Sequence, residues 1–113
     1  MAEAATLDNE TVVDTVKRYL LSLPDRGIHS RRAVLFGSYA RGTADKWSDI
    51  DLIVLAPEFD SGRPDDIVRE LWKASVHLDS RIEPIPCGEH EWEVDDSRPI
   101  LEIARREGIE ISL

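Results

Sequence analysis

The stretch from Asp49 to Ala56 constrains the fold of this chain more than any other. In an extended strand Ile50, Leu52 and Val54 point to one side, and Asp49, Asp51, Ile53 and Leu55 to the other. Beyond Asp51 both sides are apolar, a pattern suited to a strand covered on two faces. The acids stand only at its beginning, so that end meets solvent while the remainder is central. A sheet with helices packed on it follows, and the rest of the chain has to supply the cover.

The flanking patterns supply it. Val12, Val13, Val16, Leu20 and Leu23 recur at helical spacing and predict a first helix, capped by Asp8 or Asn9 and stopped by Leu23-Pro24-Asp25-Arg26-Gly27. Ala33 to Phe36 is a short apolar run that reads as a buried strand, and Ser38 to Arg41 as a short helix directly after it. Pro57 to Arg63 is a loop. Pro64 suits the first turn of a helix with Ile67, Val68, Leu71, Trp72 and Val76 on its inner side. Arg81 to Ile85 is a third strand, in which Pro84 is a poor fit because it cannot donate to a ladder. Gly88 to Val94 reads as a helical turn. A last helix is capped by Asp96 or Ser97, turns Ile100, Leu101 and Ala104 inward and ends at Gly108. Ile109, Ile111 and Leu113 alternate as a closing strand. Interleaved strands and helices predict a small α/β (α+β) domain, a mixed β-sheet flanked by helices, with residues 1–113 as one unit.

Bulk properties narrow the partners. The formal net charge is −9, and an acidic surface argues against direct binding of nucleic acid. Arg26, Arg31 and Arg32 are the candidates for a local basic spot, weighed against a solvated loop. Cys87 is the single cysteine, so no internal disulfide forms, which suits a cytoplasmic location. No apolar run approaches the ~20 residues of a membrane span. Met1 to Glu10 is acidic and lacks the pattern of a secretory signal.

The chemistry is concentrated between Gly37 and Asp51. A strand that ends in Gly37-Ser38 and passes straight into a helix presents unpaired backbone N–H groups and the positive end of a helix dipole. Gly37 lets a phosphate approach the main chain, and Ser38 adds a hydroxyl donor. Taken alone, such a corner is far more often a plain turn. Asp49 and Asp51 leave the same face of their strand, where two carboxylates repel unless a cation lies between them. Mg²⁺ fits, being hard and oxygen-seeking. Taken alone, the pair reads as turn-capping acids in water. Ten residues separate Ser38 from Asp49. The combination places a phosphate cradle and a metal-binding pair at the ends of adjacent strands, as handling of a metal-bound nucleoside triphosphate requires. Arg41 and Lys46 are candidate triphosphate contacts or solvated charges. Tyr39 or Trp47 could stack on a base or pack on the sheet, and Trp72 reads as a core residue. His29, His77 and His90 have no metal-ligand spacing.

Gly37-Ser38, ten residues, then Asp49-Ile50-Asp51-Leu52 resembles the motif of the nucleotidyltransferase superfamily that includes DNA polymerase beta. The fuller run from Gly37 through Arg41-Gly42 to Ser48 and Leu52 is similar to its minimal branch, the MNT proteins. The resemblance implies a nucleotidyltransferase fold and two Mg²⁺ ions held by the paired acids and a third acid on a neighbouring strand. Glu83 in Ser80-Arg81-Ile82-Glu83-Pro84 is the best candidate, although the family often has Asp there, and Asp79 is its rival. The implied reaction moves a nucleoside monophosphate from a triphosphate to an acceptor hydroxyl and releases pyrophosphate.

The minimal branch also resembles the antitoxin of two-gene toxin–antitoxin systems whose partner is a helical HEPN-domain toxin. This implies a hetero-oligomer in which the antitoxin binds the toxin or attaches AMP from ATP to one of its tyrosines. Two alternatives stand beside it: transfer to a small molecule such as an aminoglycoside, and an antitoxin that neutralises its partner by contact alone. A plain structural α/β domain would require the combined motif to be accidental.

Overall fold

The computed structural model describes residues 9–113, with side chains from Thr11 onward, so the capping side chain expected at Asp8 or Asn9 lies outside the described residues. Helix α1 spans Asn9–Ser22, strand β1 Arg32–Phe36, helix α2 Ser38–Arg41 and strand β2 Ile50–Leu55. Helix α3 spans Asp65–Leu78, strand β3 Ile82–Cys87, helix α4 Glu89–Val94, helix α5 Pro99–Glu107 and strand β4 Ile109–Ser112. The four strands form one mixed sheet in the order β3-β2-β1-β4. β1 pairs antiparallel with β2 and β4, while β2 and β3 run parallel and are connected through α3.

The central strand behaves as its pattern requires. Ile50, Leu52 and Val54 join a fully buried cluster with Val12, Val16 and Leu20 of α1 and Leu71 and Ala74 of α3. Ile53 and Leu55 join the opposite cluster with Val34, Phe36, and Leu101 and Ala104 of α5. Two helices therefore cover one face and α5 the other. The α1–α3 layer has a polar tie as well: the buried Tyr19 hydroxyl donates to the Leu71 carbonyl at 2.7 Å.

Pro84 is accommodated because β3 is an edge strand. The carbonyls of Arg81 and Cys87 accept from Ile50 and Ala56 of β2. Odd-numbered residues of β3 thus face the ladder, and Pro84 and Pro86 turn their missing donors toward the open edge. The strand runs on to Cys87, two residues past its expected end.

Three expectations are corrected. Trp72 and Val76 of α3 are 43% and 68% exposed rather than inward. The buried stripe of α3 is instead Leu71, Ala74 and Ser75, with Ile67, Val68 and Leu78 half-buried. Small Ala and Ser let the helix approach the sheet closely, and the large residues one position away rotate out. Pro64 is the N-cap of α3 rather than part of its first turn. The N-cap of α5 is Arg98, without a side-chain bond; Asp95 instead accepts from the amide and hydroxyl of Ser97, a local turn that ends before the helix. The loop 57–63 contains one 3-10 turn, Pro57–Phe59, that buries Phe59. From the same loop Asp60 accepts the amides of His90 and Glu91 and caps α4, and a Cβ at Gly88 would collide with it.

Candidate active site

Gly37 follows β1 and leads into α2 with φ +76° and ψ −150°, a conformation that side chains disfavour. The antiparallel register sets Phe36 opposite Asp51. Gly37 therefore lies against Asp51, and a Cβ on it would overlap the carboxylate Oδ2. The corner and the twin acids meet at one end of the sheet, as the spacing predicts. Ser38 opens α2, whose single turn is closed by Arg41 N–H to the Gly37 carbonyl at 3.0 Å.

The parallel register brings Glu83 to the same end, paired with Asp51. Burial, then the neighbouring Asp49, push the Asp51 carboxyl above the ordinary carboxylate range, and the Arg41 guanidinium pulls it partly back. A hydrogen bond with Asp49, then burial and the charges of Asp49 and Asp51, push Glu83 up as well. Asp49, Asp51 and Glu83 thus crowd one another with negative charge, an arrangement that a divalent cation would relieve. Among the described residues no group of three or more His, Cys, Asp or Glu side chains is arranged so that together they could hold a metal ion. The set is a row of hard oxygen donors along a sheet end, and its donor chemistry suits Mg²⁺.

Asp79, the rival, is engaged elsewhere. Arg81 gives it its backbone amide and guanidinium Nε at 3.0 Å each, and the guanidinium holds the Asp79 carboxyl below its usual range. Arg41 reaches Glu107 at 3.0 Å across the sheet end while its charge still acts on Asp51. Lys46 lies over the Trp47 ring, 5.1 Å from its centroid. Trp47 itself is 80% exposed. Tyr39 is buried and donates to the Asp45 carbonyl, which removes it as a base-stacking surface.

Sequence reasoning missed the side-chain turn that immediately precedes Asp49. Asp45 accepts from the Trp47 amide at 2.8 Å and from the Ser48 hydroxyl, while the Asp45 amide donates to Ser48 Oγ at 2.9 Å. The signal was there, since Asp and Ser three apart favour such a side-chain turn. It also missed Arg81, whose pairing with Asp79 orders the approach to β3; no local sequence pattern marks that role. The candidate basic residues Arg26 and Arg32 are paired with acids, Arg26 with Glu70 at 2.8 Å and Arg32 with Glu93 at 3.2 Å, so neither forms a free basic spot. No helix among the described residues is long and apolar enough to cross a membrane.

The sequence profile of the nucleotidyltransferase domain matches residues 13–106. A presumed protein adenylyltransferase of Methanocaldococcus jannaschii, MJ1305, is 56% identical over a match covering 49% of this chain and 50% of that protein. A second from the same organism, MJ0141, is 38% identical, covering 48% of this chain and 56% of its own. The chain spans about half the length of these curated relatives. A presumed nucleotidyltransferase from Sulfolobus solfataricus superposes with a TM-score of 0.60 at 15% identity, covering 88% of this chain and 78% of that one. A toxin–antitoxin structure solved with AMP-PNP superposes with a TM-score of 0.56 at 26% identity, covering 88% of this chain and 71% of that one.

Proposed function

The chain belongs to the nucleotidyltransferase domain family, and from that membership we propose that it is a Mg²⁺-dependent protein adenylyltransferase acting as an antitoxin in the cytoplasm. AMP passes from ATP to a hydroxyl, a tyrosine, of a partner HEPN toxin. The observation that carries this reading is the convergence of Asp49, Asp51 and Glu83 at the sheet end where Gly37 abuts Asp51. The adenylyltransferase relatives support the reaction class, and the toxin–antitoxin neighbour supports the biological setting.

Asp49, Asp51 and Glu83 would hold two Mg²⁺ ions. When bound, these supply Lewis acidity that lowers the pKa of the attacking hydroxyl and stabilise charge on the transferring phosphorus. Gly37, lacking a side chain, admits the triphosphate against the main chain beside Asp51. Ser38 donates its hydroxyl to a phosphate oxygen, and Arg41 and Lys46 balance the remaining negative charge. The acceptor oxygen forms a bond to the α-phosphorus as the bond to the β-phosphate oxygen breaks, and pyrophosphate leaves. The pairing of Asp79 with Arg81 favours Glu83 as the third acid.

Incubation of the purified chain with Mg-ATP and its partner, followed by mass spectrometry of the partner, tests the reading. The expected result is one or more added AMP groups, absent with Asp49→Ala and with Asp51→Ala. A partner that is bound and silenced yet unmodified would replace transfer by neutralisation through contact.

A further inference from the structure

We propose that Arg81 is a positioning residue for the candidate site. With Asp79 and Tyr39 it fixes where Asp49 stands relative to Asp51 and Glu83, and so sets how tightly these acids take a divalent cation. The proposal rests on the reading of the acids as metal ligands. Arg81 lies between α3 and β3, two residues before Glu83. Its carbonyl accepts the Ile50 amide at 2.7 Å. Ile50 separates Asp49 from Asp51, so this bond pins one flank of Asp49. The Arg81 guanidinium is bidentate on Asp79, with Nε donating to Oδ1 at 3.0 Å and Nη2 to Oδ2. Asp79 is fixed in turn as the C-cap of α3, its amide donating to the Ser75 carbonyl at 2.8 Å. A planar fork on a carboxylate holds one geometry.

The other flank of Asp49 leads back to the same residue. The guanidinium also donates to the Tyr39 hydroxyl. Tyr39 is buried in α2, and its own proton goes to the Asp45 carbonyl at 3.3 Å. That carbonyl accepts the Ser48 amide at 3.1 Å as well, and Ser48 immediately precedes Asp49. Asp49 therefore stands inside a ring of hydrogen bonds that begins and ends on Arg81, while the chain leaving Arg81 delivers Glu83. Position, rather than charge, is the route of this influence. Arg41 is the cation whose charge acts on Asp51, whereas Arg81 is engaged by Asp79 and Tyr39. A lysine at this position would keep the charge and lose the fork, so it separates the two effects. Placement matters because Mg²⁺ demands near-ideal ligand geometry, and residues that orient its ligands govern its affinity.

The probe is Mn²⁺, added to the full chain without nucleotide, and the electron paramagnetic resonance signal of the free ion reads its affinity. The parent is expected to bind more tightly than Asp49→Ala. Arg81→Lys is expected to weaken binding about tenfold, the scale on which lost support of metal ligands acts. Tyr39→Phe, which removes a single oxygen, is expected to weaken it less. The double variant is expected to match Arg81→Lys alone, because both substitutions open the same ring. Tyr19→Phe, a substitution between α1 and α3, serves as the control for general loosening of the fold and is expected to bind as the parent does. Thermal melts establish that each variant is folded at the temperature of the titration, and Tyr39→Phe decides the matter should Arg81→Lys not fold. Parental affinity in either folded variant overturns the proposal alone. A parent that binds Mn²⁺ no more tightly than Asp49→Ala overturns the metal-ligand reading and this proposal with it.

Discussion

Gly37 shows how much one residue can decide. Its backbone angle and its contact with Asp51 both exclude a side chain. Gly37→Ala is expected to destabilise the chain by about 1–3 kcal/mol, the usual range for a residue forced into sparsely populated backbone space. Urea denaturation measures this, and Mg-ATP binding is expected to weaken alongside because Asp51 must shift. The acids make a second prediction. In an unfolded chain Asp51 and Glu83 titrate near 3.8 and 4.5, and folding raises both. Folding therefore favours their protonated forms. Their stabilising contribution is complete below the unfolded values and is lost as pH rises through the folded ones. Metal-free protein is expected to lose stability as pH climbs out of the carboxylate range, and Asp51→Asn to flatten that slope. Glu83 contributes less to the slope than Asp51, since it is more exposed and solvent screens its charge. Melting temperature against pH in EDTA reads the effect.

At the scale of elements, α3 divides into two faces with different duties. Leu71 is fully buried, and Leu71→Ala is expected to cost about 2–5 kcal/mol. Trp72→Ala, one residue on, is expected to stay within about 1 kcal/mol of the parent because its ring already meets water. Tyr19→Phe removes the bond from α1 to the Leu71 carbonyl and is expected to cost about 1 kcal/mol. Equilibrium unfolding of the three variants orders them, and a Trp72 variant as damaged as Leu71→Ala would contradict the assignment of faces. β3 shows the same logic in a strand: its prolines are tolerable only because the edge leaves alternate amide positions unused.

For the molecule as a whole, the sheet end where two strands deliver three acids is held far from neutral by its own charges. A ligand bringing cations there should stabilise the entire fold. Mg-ATP at about 100 times its Kd is expected to add about 2.7 kcal/mol, seen as a raised melting temperature. Asp49→Ala together with Asp51→Ala is expected to abolish the rise while leaving the chain folded. ATP with EDTA separates the metal's part from the nucleotide's. A rise that persists in the double variant would locate the nucleotide elsewhere. Cys87, buried with its thiol pushed up to about 12, is not expected to react with alkylating reagents in the native state.

The sequence by itself determined the central strand, the turn at Gly37, the paired acids and the helices on both faces of the sheet. Each is a local pattern: a period, a small residue at a corner, or charges confined to one end of an apolar run. It also carried enough of the Gly-Ser and Asp-x-Asp spacing to place the chain in its family. Only the tertiary structure shows that Glu83 lies in register with Asp51 while Asp79 is paired with Arg81, because both depend on where Arg81 reaches and on the parallel register of β2 with β3. It likewise turned Trp72 outward, since helical periodicity shows that α3 has an apolar side but not how far that side rotates when Ala74 and Ser75 seat it closely on the sheet. Register and rotation are relations between distant segments, and short-range spacing does not encode them.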